Sequence, residues 1–329
     1  MNVVYVSNEN YAQHLAVSMA SLFDSNLQAE EIHVYVLSTG ISPESEQKLQ
    51  EIAGEFGRQL SLLDLRDIGD RFGYEADGGR FDISAMGRFF LGNMLPAELE
   101  RVIYLDCDTA VLRPLEKLWE TDLHGKVLGA VMEPTIYPQT KAMAGLDPGM
   151  PYYNSGVLLI DLVRWRSLDM DRRLREFFRE LNGRSAFCDQ DAINAVLKGQ
   201  ILPLMPKYNF FSNYKYFHYK DLVRRSSIYR LVPEKEFTEA AAHPAVVHYA
   251  GDERPWIRGS LNPYRRAYDF YLARTPWAGA PKIKGKELYM LAYHVMNLLT
   301  WHLPALRAEI SRRYGEKLYE DRMYPGSAQ

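Results

Sequence analysis

Asp106 and Asp108 close an apolar run in the stretch RVIYLDCDTAVL (101–112), and their spacing limits what they can do. Side chains of a strand alternate faces, so residues i and i+2 point the same way. Val102, Ile103, Tyr104 and Leu105 read as a strand buried on both faces, as in a parallel sheet. Two like charges side by side at its end repel, and both stay ionised at neutral pH only with a cation or water between them. The pair is then a divalent metal site, the nucleophile and acid–base couple of a dehalogenase-type phosphatase, or a solvated loop. That phosphatase fold places its pair after the first strand, with Thr or Val four residues beyond the first aspartate. Here several strand-like runs come earlier and Ala110 takes that position, which favours the metal. Mn²⁺ or Mg²⁺ would accept the hard carboxylate oxygens and complete its shell with phosphate oxygens.

Further clusters have matching chemistry. In VVHYAGDERPW (246–256), His248 could add a neutral imidazole to the metal, Gly251 lets backbone approach a ligand, and Arg254 would meet a phosphate. A diphosphate leaving group would suit metal on one side and guanidinium on the other. FCDQDAIN (187–194) sets Asp189, Gln190 and Asp191 at the start of a helix, where acids suit the helix dipole or point into a pocket. Asn154 and Ser155 precede Gly156 at the start of another strand and could grip hydroxyls. In SNENY (7–11), Tyr11 could stack on a planar base, and the amide oxygen of Asn8 could accept a hydrogen bond. Arg88, among apolar residues of SAMGRFFLGNMLP (84–96), reads as a helical cation in need of an anion.

Positioning these groups requires a sheet. Short β-branched runs at 2–7, 32–38, 60–65, 101–106, 127–133, 156–162 and 245–250 alternate with segments of helical period. Leu15, Met19, Leu22 and Phe23 form one helix face, and Ser42 with Pro43 begins another helix that carries Leu49, Ile52 and Phe56. Strand, helix, strand is the pattern of an α/β fold, with its ligand beyond the C-terminal strand ends where strand order reverses. SNENY, DCD and HYAG all follow strands, so the expectation is three polar clusters at one edge of one sheet. The chain of 329 residues is longer than a single core usually supports, and its composition shifts after about residue 260. From 282 to 320 it is helical, aromatic and basic at both flanks, with Leu288, Leu291, Ala292, Val295, Leu298, Leu299 and His302 on one stripe. Glu287, His294 and Asn297 interrupt it too often for a bilayer span. The stripe either lies on a membrane surface, with Lys282, Lys284, Lys286, Arg312 and Arg313 near anionic headgroups, or packs on the preceding domain.

Bulk properties narrow the partners. A formal net charge of −3 gives no reason to expect nucleic acid. Cys107 and Cys188 lack CxxC spacing, which argues against a zinc site or a disulfide framework. The start MNVVYVSNENY enters a strand without a basic segment or a long apolar run, so the expected location is the cytoplasm.

Taken in order, NENY, Arg88, YLDCDTAV, YYNSGVLLIDL, DQDAIN and HYAGDERPW resemble glycosyltransferase family 8. These retaining enzymes include bacterial lipopolysaccharide galactosyltransferases and glucosyltransferases. The resemblance covers residue 1 to about 260 and implies a nucleotide-diphospho-sugar transferase (GT-A type) fold: a mixed, mostly parallel sheet flanked by helices. A catalytic domain at 1–260 and a C-terminal helical extension at 261–329 are expected. By motif position, Asp106, Asp108 and His248 would bind Mn²⁺ or Mg²⁺. Val6, Asn8, Asn10 and Tyr11 would line a uridine pocket. Arg88, Asp106, Asn154, Ser155, Asp189 and Gln190 would surround the donor sugar, with Asp189 and Gln190 nearest the chemistry, and Gly251 and Arg254 would hold the diphosphate. The implied reaction moves a hexose from a UDP-sugar to a glycan or lipid-linked glycan of the cell envelope, peripheral on the inner face of the cytoplasmic membrane. Asn8 stands where the family often has Asp, and Arg254 where Lys is usual. A phosphatase, or a sugar-nucleotide-binding module without turnover, are the competing readings.

Overall fold

The structure, a computed structural model, describes residues 1–78, 81–136, 138–143 and 145–323. Strands β1 (Asn2–Ser7), β2 (His33–Ser38), β3 (Gln59–Asp64), β4 (Arg101–Leu105), β6 (Leu128–Met132), β7 (Tyr153–Asp161) and β8 (Ile201–Leu204) form a seven-stranded sheet in the order β3-β2-β1-β4-β7-β6-β8. All pairs are parallel except those of β7, which runs against both β4 and β6. Strand order reverses between β1 and β4, and their C-terminal ends carry Asn8 and Asp106. The reversed direction of β7 brings its first residues, not its last, to that same edge.

The strands are apolar on both faces because each face has its own core. Val4, Val6, Val102, Tyr104, Leu158 and Ile160 pack with Phe89, Phe178 and Ile193. Val3, Tyr5, Ile103, Leu105, Val157 and Leu159 pack with Leu15, Met19, Leu49 and Ile52 on the other side. The Pro43–Glu55 helix starts as its sequence predicts: the Ser42 hydroxyl accepts from the Ser45 N–H at 3.2 Å, and Leu49 and Ile52 are buried. The expected helix around Arg88 is instead a 3₁₀ turn, Ile83–Phe90, followed by a short α-helix, Leu91–Met94.

The expectation that SNENY, DCD and HYAG all follow strands of one sheet does not hold. The strand before HYAG, β10 (Val246–His248), is not in the main sheet. It pairs antiparallel with β5 (Thr109–Val111) and parallel with β9 (Phe210–Phe211) in a separate three-stranded sheet. β5 begins directly after Asp108, so the turn holding the aspartates passes from one sheet to the other and carries His248 to them.

Beyond residue 260, the Arg265–Leu272 helix lies on the Ala12–Ser25 helix, with the Tyr268 hydroxyl 2.7 Å from His14 Nδ1. Helices Glu287–Leu299 and Pro304–Met323 follow. The first is held by buried Met290, by His294 Nε2 accepting from the Leu261 N–H at 2.9 Å, and by the Tyr289 hydroxyl donating to Asp252 at 3.0 Å. Arg307 Nε donates to Asn297 Oδ1 at 2.7 Å and ties the two helices together. The predicted apolar stripe points the other way: Leu288 is 83% and Leu298 76% exposed.

Candidate active site

Asp106, Asp108 and His248 offer ligand atoms that all lie within 4.8 Å of one another. His248 Nε2 is 3.2 Å from Asp108 and 3.7 Å from Asp106. Burial opposes charge on this imidazole, but the carboxylates outweigh it and hold its pKa above the ordinary value. Burial likewise opposes ionisation of Asp108, yet His248 and Arg254 hold its carboxyl well below the usual carboxylate range. Gly156 makes the space: a Cβ there would stand 2.4 Å from the His248 ring and 2.7 Å from an Asp106 oxygen. Two carboxylates and an imidazole around a cradle that a methyl group would fill suit a divalent cation.

Arg88 is the centre of the adjoining wall. Its guanidinium donates to Asp106 Oδ1 at 2.8 Å and to the Ser155 carbonyl at 2.5 Å, and its Nε lies 3.1 Å from Asp189. The Ser155 hydroxyl donates to the same Asp189 oxygen at 2.7 Å. Burial pushes the Asp189 carboxyl up to about 6 while Arg88 pulls the other way. The predicted anion partner of Arg88 is thus two carboxylates, with the Tyr104 ring below the guanidinium at 4.2 Å. Next to this wall, Asn154 donates to Gln190 Oε1 at 2.6 Å and to Glu133 at 3.1 Å.

The remaining predicted residues divide by exposure. Arg254 donates to the Tyr11 hydroxyl at 2.7 Å, lies 3.5 Å from Asp108, and is 5.5 Å from the Trp256 ring centre. Gly251 has φ +90°, which a side chain would strain, and opens the turn that aims Arg254. Val6 is buried against Gly87, whose Cβ, if present, would stand 2.4 Å from it. Asn10 is exposed. Asn8 uses its amide oxygen to cap the Glu9–Tyr11 turn, accepting from the Tyr11 N–H at 3.2 Å. Asp191 turns away from this wall: Tyr152 and the Phe187 N–H bond it, and burial pushes it up to about 6.

Three site residues escaped the sequence reading. Tyr104 donates to Asp106 Oδ1 at 2.9 Å. Glu133 follows β6 at the active edge, and burial raises its pKa; a carboxylate ending an apolar run was the same signal that singled out Asp106. Asn209 sits between His248 and Asn154, and no local pattern marks it.

Residues 2–259 match the description of Glycosyl transferase family 8. The chain belongs to this family. General stress protein A of Bacillus subtilis is 29% identical over 280 residues, covering 84% of this chain and 94% of that protein. The lipopolysaccharide 1,2-glucosyltransferase of Escherichia coli is 24% identical over 312 residues, covering 92% and 86%. In fold the family 8 chain is similar to the galactosyltransferase LgtC in complex with donor and acceptor sugar analogues. The TM-score is 0.72 at 24% identity, over 88% of this chain and 100% of LgtC. The architecture is therefore of the GT-A type, and the protein is a glycosyltransferase, a hexosyltransferase by family, which replaces the phosphatase reading of the aspartate pair.

Proposed function

We propose that this family 8 enzyme moves galactose or glucose from a UDP-sugar to a cell-envelope glycan such as lipopolysaccharide core, with retention at the anomeric carbon. The observation that carries the proposal is the meeting of Asp106, Asp108 and His248 with Arg254 at one strand edge. Imidazole beside carboxylates favours Mn²⁺ over Mg²⁺. Asp106, Asp108 and His248 would hold the cation, which would supply positive charge against the diphosphate leaving group. Arg254 supplies the second positive charge, and Tyr11 links it to the uridine end. Asp189, Ser155 and Arg88 are a prearranged wall for sugar hydroxyls, rigid because each is already bonded to another.

Retention requires a nucleophile under the ring or attack from the leaving-group face. Gln190, the residue family position puts under the ring, has its amide oxygen taken by Asn154 at 2.6 Å and by the Ser155 N–H at 3.3 Å. An amide is a poor nucleophile, and these bonds make it poorer. The acceptor hydroxyl therefore attacks on the leaving-group face: its oxygen bonds to C1, the C1–O bond to the diphosphate breaks, and the hydroxyl proton passes to a diphosphate oxygen.

The exposed stripe and its basic flank support a place at a membrane surface. Among the described residues no helix is long and apolar enough to cross a membrane. The likeness to the E. coli lipopolysaccharide enzyme supports a lipid-linked acceptor. Calorimetry of UDP with and without Mn²⁺, on wild type and Asp108→Asn, tests the core of the proposal. Metal-dependent binding lost in the variant is the expected result; no binding in either condition overturns the donor assignment.

A further inference from the structure

The polarity of the buried amides around β7 is fixed by a backbone group. The Gly156 N–H can only donate, and it meets Asn154 Oδ1 at 2.9 Å. The other end of that amide, Asn154 Nδ2, donates to Gln190 Oε1. Asn209 reaches the same Asn154 Oδ1 at 2.7 Å, so Asn209 must present its NH₂ there. Its own oxygen then faces His248 Nδ1 at 2.9 Å, and that nitrogen must carry a hydrogen. One directed chain results: His248 Nδ1–H to Asn209, Asn209 to Asn154, Asn154 to Gln190. Asn209 is 2% exposed, and the parallel pairing of β9 with β10 sets its place beside His248.

We propose that Asn209 is a positioning residue that couples the metal-binding histidine to the amide under the donor sugar. The proposal rests on the reading of His248 as a ligand and of Gln190 as the residue beneath the sugar. At one end Asn209 holds the imidazole in the tautomer that leaves the Nε2 lone pair between Asp106 and Asp108. At the other it donates to Asn154 Oδ1, which keeps Asn154 from turning and holds Gln190 Oε1 toward β7. Hydrogen bonds between buried side chains thus run without a break from His248 through Asn209 and Asn154 to Gln190, beside the separate path through Arg88.

The two ends can be separated by chemistry. Asn209→Asp keeps an acceptor for His248 Nδ1–H but cannot donate to Asn154 when ionised. Asn209→Ala removes both bonds. Mn²⁺ binding is read by calorimetry, and turnover as UDP release from UDP-glucose and UDP-galactose at saturating Mn²⁺. Loss of such a partner typically weakens a metal site or its activity by about 10–100-fold. Asn209→Ala is expected to lose about tenfold in both Mn²⁺ affinity and kcat. Asn209→Asp is expected to hold Mn²⁺ near the wild-type affinity while kcat stays about tenfold down. A merely structural residue would move both readouts together with the melting temperature. The inference is overturned if Asn209→Asp loses or keeps both properties in step, or if Asn209→Ala binds Mn²⁺ as wild type does. Wild-type protein that binds neither Mn²⁺ nor UDP would instead defeat the functional proposal beneath it.

Discussion

Gly156 lies so close to His248 that its missing side chain is a condition of the site: a Cβ would stand 2.4 Å from the ring carbon Cε1. His248 cannot retreat, because Asn209 holds its far nitrogen and the Phe211 ring meets it edge-on at 5.0 Å. Gly156→Ala is expected to weaken Mn²⁺-dependent UDP binding by about tenfold or more, by displacing the imidazole proposed to meet the metal, whose support is already fixed. Calorimetry against wild type measures this. Unchanged affinity would mean that the imidazole swings clear and that the cradle is not a metal site.

Arg88 pairs with the partly exposed Asp106 and the buried Asp189, and removing it leaves Asp189 without its cation. Breaking a buried pair from one side costs about 3–5 kcal/mol. Arg88→Ala should therefore lower unfolding free energy by that order, measured in urea. Arg88→Lys keeps the charge but has one nitrogen for four acceptors, so it should fold and still bind the sugar nucleotide poorly. A loss under about 1 kcal/mol for the alanine variant would show that solvent reaches Asp189 and replaces the guanidinium.

Much of this was legible in the sequence, and the reason is local. Asp106 and Asp108 are marked by the apolar strand that leads into them, and Asn154 and Ser155 by the strand that follows. The direction of β7 and the separate sheet of β10 were not legible, because pairing is decided by contacts far apart in sequence. Asp106 thus meets Ser155 through a reversed strand, and His248 arrives on a different sheet. Asn209 shows the limit best: its role depends on the atoms on either side of it, 55 residues before and 39 after, and nothing in its own neighbourhood announces it.

Glu253 offers a pH test away from the metal. It is 2% exposed, accepts from the Tyr216 hydroxyl at 3.0 Å, and lies 3.4 Å from His294 Nδ1. Burial pushes its pKa up to about 7, with the Tyr216 bond, Arg307 and Arg265 pulling back. Its folded pKa lies above its unfolded one, so its contribution is full at low pH and is lost as pH rises from about 4.5 through 7. The buried charge formed above that range costs roughly 3 kcal/mol at most. Glu253→Gln should therefore gain stability relative to wild type at pH 8 compared with pH 5, read from urea midpoints at both. Parallel pH profiles for the two proteins would mean that Glu253 is ionised throughout.

On the Glu287–Leu299 helix, Leu288, Leu291, Leu298 and Leu299 face solvent while Met290, Asn297 and His294 fasten the other side to the protein. Lys284 and Lys286 are exposed at its start, where anionic headgroups would meet them. Burying one leucine is worth about 1.5–3 kcal/mol, so Leu298→Glu with Leu299→Glu should cut vesicle binding well over about tenfold. Both side chains lie far outside the folded contacts, and UDP affinity should not change. Sedimentation with phosphatidylglycerol vesicles, with phosphatidylcholine and high salt as controls, gives the answer. Equal binding by the variant would place the membrane contact elsewhere or remove it, and the apolar stripe would then need a protein partner.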